Sequence, residues 1–385
     1  METTTSTLPD QRSGPLSGLR AVLMGGIGPA PYCAMLLADL GADVVRVDRP
    51  SQKPRADVPF PMPVDPLSRG QRSVTLNLKQ AEDVELAWRL IENADVLVEG
   101  FRPGAMERLG FGPEACRARN ARLVYGRVTG WGQSGPLAQA PGHDINYIAL
   151  TGALDLIGRP DGAPAIPLNL VGDFAGGGLY LAFGILAAVF ERNRSGLGQV
   201  VDAAMIDGAL SLMNMAYGLK HFGLMSGGRG ENLLNGGAHM YDTYPCADGQ
   251  RIAIGAIEPE FYRALCEQTG LDDSQPSLRF DPTRWGILKE RIGDIIKTRA
   301  RDEWCGSAGA AAACLSPVLS VDEAPWHPHH KARGSFVEVE GVTLPAPGPR
   351  FSRTPAQTPS RFALPGAHTE EVRDEIRNTH VFPFK

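Results

Sequence analysis

Between residues 19 and 48 the chain runs apolar, glycine-rich, amphipathic and apolar again, and few folds accept that order. Residues 19–24 (Leu-Arg-Ala-Val-Leu-Met) read as a buried strand and Gly25-Gly26-Ile27-Gly28-Pro29-Ala30-Pro31 as a turn. The stretch through Leu40 reads as an amphipathic helix, and residues 43–48 (Asp-Val-Val-Arg-Val-Asp) as a second strand. Strand, glycine turn, helix and strand make a βαβ unit, which argues for a parallel sheet. The alternation continues with a helix at 81–92, a strand at 94–99, a short helix at 113–119 and a strand at 123–129. The predicted class is α/β, with a Rossmann-like parallel-sheet large domain. A dinucleotide site does not follow, because Gly-Gly-Ile-Gly-Pro-Ala-Pro lacks the last glycine of G-x-G-x-x-G and puts prolines there. Open α/β sheets bind ligands beyond the C-terminal strand ends, so the loop at 131–136 (Trp-Gly-Gln-Ser-Gly-Pro) is expected to lead into a site.

The chemistry concentrates just after that loop. Residues 142–147 (Gly-His-Asp-Ile-Asn-Tyr) place His143 in a turn before a helix that carries Tyr147, Ile148, Leu150 and Leu154 inward. Residues 172–178 (Gly-Asp-Phe-Ala-Gly-Gly-Gly) precede an apolar run at 179–190, which reads as a buried helix with Asp173 at or near its N-cap. A His and a carboxylate on separate elements can reach opposite faces of one carbon, as proton exchange between two faces requires. Three glycines in a first turn weaken a helix by roughly 1 kcal/mol each at interior positions. Either a ligand lies close to bare amides there, or the turn packs closely on a neighbour.

Composition removes several alternatives. With 385 residues the chain is long enough for two domains, and a net charge of −5 with no basic tract gives nucleic acid no footing. An anionic ligand must therefore be held by local Lys and Arg side chains or by helix ends. The six cysteines stand far apart without a C-x-x-C pair, and the start of the chain has no apolar signal peptide, so reduced thiols and a cytoplasmic location are expected. The longest apolar run, twelve residues, is too short to span a bilayer, and no membrane partner is expected. Trp-His-Pro-His-His at 326–330 lacks carboxylate or thiol companions, and no metal site is assigned.

Four runs, residues 142–147, 167–178, 198–205 (Gly-Gln-Val-Val-Asp-Ala-Ala-Met) and 255–262 (Gly-Ala-Ile-Glu-Pro-Glu-Phe-Tyr), closely resemble α-methylacyl-CoA racemases, members of the family III CoA-transferase superfamily. The resemblance extends from about Leu16 to about Pro349. It implies an acyl-CoA substrate, a homodimer that is interlocked, and no separate cofactor, since CoA is part of the substrate. It also implies catalytic roles for His143, Asp173 and Glu258, the last orienting His143 from its own or the other subunit, with Asp144 as the competing partner of His143. Arg49, the run Leu76, Asn77, Leu78 and Lys79, and Arg102 are implied to contact the nucleotide part of CoA, with Gly142, Asp144 and Tyr147 completing the ligand-binding set. Cations at strand ends suit a pyrophosphate and a 3′-phosphate, although Lys79 reads equally well as a surface ion pair. Leu23 stands where many relatives have Glu, and Ala30 where they have Gly, changes that bear on CoA placement and leave the bases untouched.

The implied reaction is inversion at the carbon next to a thioester carbonyl by 1,1-proton transfer through an enolate. Backbone donors at the start of the Asp173 helix are the expected oxyanion stabilisers. The rival within the superfamily is a CoA-transferase in which Asp173 is a nucleophile forming an acyl intermediate. His143 and a loop reading Gly-Ala-Ile-Glu, where transferases carry a glycine-rich loop, favour proton transfer.

For the rest of the chain, residues 1–15 read as a disordered arm, 16–225 as the large CoA-binding domain and 226–240 as a linker. Residues 199–218 read as one long helix whose methionines are core filler or an adaptable acyl surface. Residues 241–317 read as a smaller α+β domain, and 318–385 as a Pro-rich return linker and a C-terminal segment packing on the large domain, ending in a charged helix at 368–378.

Overall fold

The computed structural model describes residues 13–50, 62 and 64–378. The arm expected at 1–15 lies outside them up to residue 12, as does the closing Phe-Pro-Phe-Lys. Six strands form one parallel sheet: β1 (Arg20–Leu23), β2 (Asp43–Asp48), β3 (Arg72–Thr75), β4 (Val96–Glu99), β5 (Val124–Thr129) and β6 (Val200–Ala204). Their order is β3-β2-β1-β4-β5-β6, the doubly wound arrangement whose direction of progression reverses between β1 and β4. That reversal opens a crevice at the C-terminal strand ends.

Alternate residues of each strand enter two different cores. Ala21, Leu23, Val96, Val98, Val124 and Val128 join one cluster with residues of the helices Pro29–Asp39 and Tyr180–Ser195. Val22, Met24, Leu97 and Tyr125 join the other with the helices Ala81–Glu92 and Thr369–Asn378. A sheet covered on both faces explains why its strands read as nearly continuous apolar runs. The edge strand β3 is closed by the C-terminal segment: His368 Nδ1 accepts from the Ser73 N–H at 3.1 Å and Thr369 Oγ1 from the Thr75 N–H at 3.0 Å.

Two expected helices change. Residues 199–218 are not one helix: β6 pairs with β5 from Tyr125↔Val200 to Thr129↔Ala204, and helices follow at Met205–Leu212 and Asn214–His221. Two adjacent valines suit a pleated strand, and β5 supplies a partner edge that periodicity cannot reveal. The apolar run at 179–190 belongs to a longer helix, Leu170–Ser195, of 26 residues and hydropathy 1.6, long and apolar enough by length and composition to cross a membrane. Its inner face, with Leu181, Ala182, Ile185 and Ala188, lies in the first core, and the buried Arg192 donates to the carbonyls of Asp95 and Arg122. Those are the contacts of a core helix. It is not buried all round, however, since Phe183 is 70% and Phe190 79% exposed.

The chain divides into two compact units, one holding the chain up to Ile148, Leu168–Leu212 and the chain from His329, the other Ala149–Pro167 and Met213–Pro328. Residues 149–167 and 213–225 go with the second unit, where Tyr217 donates to the Thr151 carbonyl and Arg229 to the carbonyls of Asp155, Arg159 and Gly162. Residues 226–240 are ordered by the Asn232 amide on the carbonyls of Gly227 and Gly228. The antiparallel sheet β7 (Tyr241–Pro245), β8 (Arg251–Gly255) and β9 (Leu315–Pro317) packs with the helices Pro259–Thr269 and Pro282–Ile296 around Tyr262, Ile292 and Trp304. In the first unit the return segment contains a hairpin, β10 (Phe336–Val339) with β11 (Val342–Pro345), where a Pro-rich linker was expected.

Candidate active site

Asp173 lies inside the first turn of its helix rather than at the cap. Asn169 precedes the helix, and Leu170–Leu179 winds as a wide π-turn that runs straight into Tyr180–Ser195. Such turns are rare and concentrate at functional sites. The Asn169 side chain donates to Asp173 Oδ2 at 3.1 Å. The carboxyl also faces the glycine turn after β1: a Cβ on Gly28, whose φ is +69°, would lie 3.4 Å from Asp173 Oδ2. The acid therefore opens onto the crevice next to β1.

The three glycines that follow serve packing. A Cβ on Gly178 would lie 2.6 Å from the Pro29 carbonyl oxygen, one on Gly177 2.9 Å from Met205 Cγ, and one on Gly176 2.7 Å from the Ala209 amide nitrogen. Helices Pro29–Asp39 and Met205–Leu212 occupy the space that the sequence left open to a ligand.

His143 is exposed and begins the helix Asp144–Leu150, its carbonyl accepting from the amides of Asn146 and Tyr147. Its own N–H donates to Asn146 Oδ1 at 3.0 Å, which fixes the turn. Tyr147 is 6% exposed, donates its hydroxyl to the Gly142 carbonyl at 2.5 Å and stacks edge-on against Trp131. A Cβ on Gly130 would fall 2.1 Å from the Tyr147 ring, so that glycine makes room for the tyrosine. Of the inward positions expected on this helix, Tyr147 and Ile148 are buried and Leu150 is 59% exposed, while Leu154 lies past the helix end in a separate helical turn, Ala153–Leu156.

Asp144 does something the sequence did not suggest. It is 4% exposed, and its Oδ2 accepts the backbone N–H groups of Gly172 at 2.5 Å and Asp173 at 2.7 Å. Two donors expected for an oxyanion are thus occupied, and the Asp144 side chain faces protein rather than His143.

The electrostatics tie these groups together. Burial raises the Asp173 carboxyl above its ordinary range, and the charge of Asp144 adds to this, against the Asn169 hydrogen bond and the influence of His143. Burial, then the charges of Asp173 and Asp144, push the Tyr147 hydroxyl up to about 12, with Arg102 opposing. His143, Asp144, Tyr147, Asp173 and Arg102 therefore share one electrostatic neighbourhood.

The residues expected to meet a nucleotide follow the ends of β2, β3 and β4. Arg49, Lys79 and Arg102 are exposed there. Leu76–Lys79 form the turn after β3, where the Asn77 N–H donates to Asp83 Oδ2 at 2.7 Å. Leu76 is 2% exposed and belongs to the core, so only its main chain can face a ligand. Asp48, the acid that would bind a ribose in a dinucleotide site, is taken by Arg46 at 2.8 Å and Ser73 at 2.6 Å. Glu258 belongs to the second unit, exposed at the head of the helix Pro259–Thr269, and its carbonyl accepts from the Tyr262 N–H. The preceding carbonyl, of Ile257, is held by Arg279 at 2.9 Å.

The chain is similar to known proteins over most of its length. The family model for CoA-transferase family III matches residues 16–369. α-Methylacyl-CoA racemase of Homo sapiens is 43% identical over 94% of this chain and 93% of its own. Succinate–glutarate CoA-transferase of Agrobacterium fabrum is 30% identical over 95% of this chain and 96% of its own. Among solved structures, a CAIB/BAIF family protein from Brucella suis matches with a TM-score of 0.81 at 27% identity, covering 95% of this chain and all of that one.

Proposed function

The chain belongs to CoA-transferase family III, and from that premise we propose that it is an isomerase, an α-methylacyl-CoA racemase interconverting (R)- and (S)-2-methylacyl-CoA thioesters. The observation that carries the reading is the state of Asp173, a carboxyl raised by burial, held by one neutral amide and set in the electrostatic reach of His143. A carboxyl that holds its proton more tightly than usual beside an imidazole is suited to giving and taking a proton. The 43% identity to a racemase, against 30% to a transferase, points the same way.

In one direction, neutral His143 takes the proton from C2 and the C–H electron pair moves into the thioester carbonyl as an enolate. Protonated Asp173 then delivers its proton to the opposite face of C2, leaving imidazolium and carboxylate. The reverse direction starts from that charged pair, so both directions carry the same total charge. Burial of Asp173 favours the neutral pair and the imidazolium's charge favours the ionised one. In this reading the exposed Arg49, Lys79 and Arg102 receive the phosphates of CoA. A homodimer is supported by the exposed Leu179, Phe183 and Phe190 along one helix, an apolar face that a second copy would cover.

The test is a single enantiomer of a 2-methylacyl-CoA incubated in D₂O with the protein. Deuterium entering C2 together with formation of the other enantiomer is the expected result. Hydroxylamine trapping of an Asp173 acyl adduct, with no deuterium at C2, would replace this reading by group transfer.

A further inference from the structure

We infer that Asp144 is a positioning residue whose carboxylate pins the backbone at Asp173 to the start of the helix that carries His143, and so sets the separation of the two proton-transferring groups. The inference rests on the racemase reading for its kinetic consequences and on geometry alone for the clamp. Asp144 follows His143 directly, and its Oδ2 reaches two amides 28 and 29 residues further along, at 2.5 and 2.7 Å. Gly172 is required by the same contact, since a Cβ there would lie 2.7 Å from that oxygen. One buried oxygen therefore joins the two elements on which the bases stand.

The other oxygen, Oδ1, is buried with no hydrogen-bond partner. Helix capping needs only one acceptor, and Asn is as good a cap as Asp. The full negative charge is thus left over from the structural task and acts on its surroundings. The groups facing Asp173 are His143, Asp144, Asn169 and Tyr147, and of these Asp144 opposes ionisation of Asp173 while His143 and Asn169 favour it. The one side chain thus fixes a distance and biases a protonation state.

Two variants separate these effects. Asp144→Asn keeps an oxygen that can accept both amides and removes the charge, whereas Asp144→Ala removes both. For Asp144→Ala, kcat for inversion is expected to fall on the order of a hundredfold, as for a displacement of about 1 Å at reacting groups, with KM little changed. C2 deuterium exchange should fall less than inversion, because one base can still work from its own face. For Asp144→Asn, a loss of about tenfold or less is expected, with the limb of the pH–rate profile that belongs to Asp173 moved to lower pH. Independently of activity, amide hydrogen exchange at Gly172 and Asp173 should speed up in Asp144→Ala and stay close to wild type in Asp144→Asn. Wild-type exchange rates at those amides in Asp144→Ala would overturn the clamp. Equal kinetic losses in both variants with no shift in pH profile would reduce Asp144 to a structural cap and overturn the positioning role. If the wild-type protein neither exchanges nor inverts, the racemase reading fails, and the amide measurement still decides the clamp.

Discussion

Two aspartates, Asp173 in the first unit and Asp273 in the second, show how differently one side chain can be treated. Asp273 is enclosed, and burial would raise its carboxyl, but the Gln275 N–H, the Tyr262 hydroxyl and Arg284 together hold it below the ordinary range. Tyr262 in turn meets the buried His239, so the carboxylate ends a polar chain of three side chains. Two acids of the first unit are also given cations, Glu99 on β4 by Arg127 and Asp39 at the end of helix Pro29–Asp39 by Arg69, although burial still leaves both carboxyls raised. Asp173 has one amide donor and a second carboxylate as its neighbour. A fold that pairs its structural acids and leaves this one short of cations marks it for chemistry rather than for stability.

The largest effect that would break this comparison is on turnover. Asp173→Asn is expected to lower inversion by about 10²–10⁴-fold, roughly 3–5 kcal/mol in barrier, while the melting temperature holds or rises. A clear fall in melting temperature with activity retained would put Asp173 in the same class as Asp273. The reciprocal change, Asp273→Asn, is expected to destabilise by about 2–3 kcal/mol, below the top of the range for buried pairs because Arg284 still reaches water. Denaturant midpoints measure it.

The glycines beside Asp173 come next in size. Gly178→Ala forces a Cβ against the Pro29 carbonyl and should cost about 1–3 kcal/mol by thermal melting. Gly28→Ala meets only the Asp173 carboxyl at 3.4 Å and a positive-φ backbone (φ +69°, ψ −117°) that costs a side chain about 1–3 kcal/mol, so its turnover should suffer more than that of Gly178→Ala at equal stability. The same two turns show what was legible in the sequence. Strands β1, β2, β4 and β5 were readable because a sheet covered on both faces needs unbroken apolar runs, and His143 and Asp173 stood out by their company. What fills the space beside a glycine is not written at the glycine, so Gly176, Gly177 and Gly178 read equally well as a ligand approach or as a packing seam. Strand β6 escaped because its pairing depends on an edge that β5 provides seventy-five residues earlier in register. Asp144 stood in the sequence as the competing partner of its chain neighbour His143, yet successive side chains on a helix leave about 100° apart, and its contacts lie across the fold.

The smallest effect is also the one that tests the comparison by sign. A carboxyl raised in the folded state binds its proton more tightly there than in the unfolded chain, where aspartate titrates near about 3.9. Its contribution is therefore most favourable in acid and is lost as pH rises through the raised value, after which it stays level. Asp273, held low, contributes stability above about pH 4 and loses it only as pH falls through its own lower value. Relative to wild type, Asp173→Asn should then gain stability as pH rises from about 4 to 8, whereas the deficit of Asp273→Asn should stay flat over that window and shrink only below it. Urea midpoints of the three proteins across that range measure both slopes. A flat difference for Asp173→Asn would mean that its carboxyl is as well compensated as Asp273, and the distinction between a paired acid and a working one would fail at this residue.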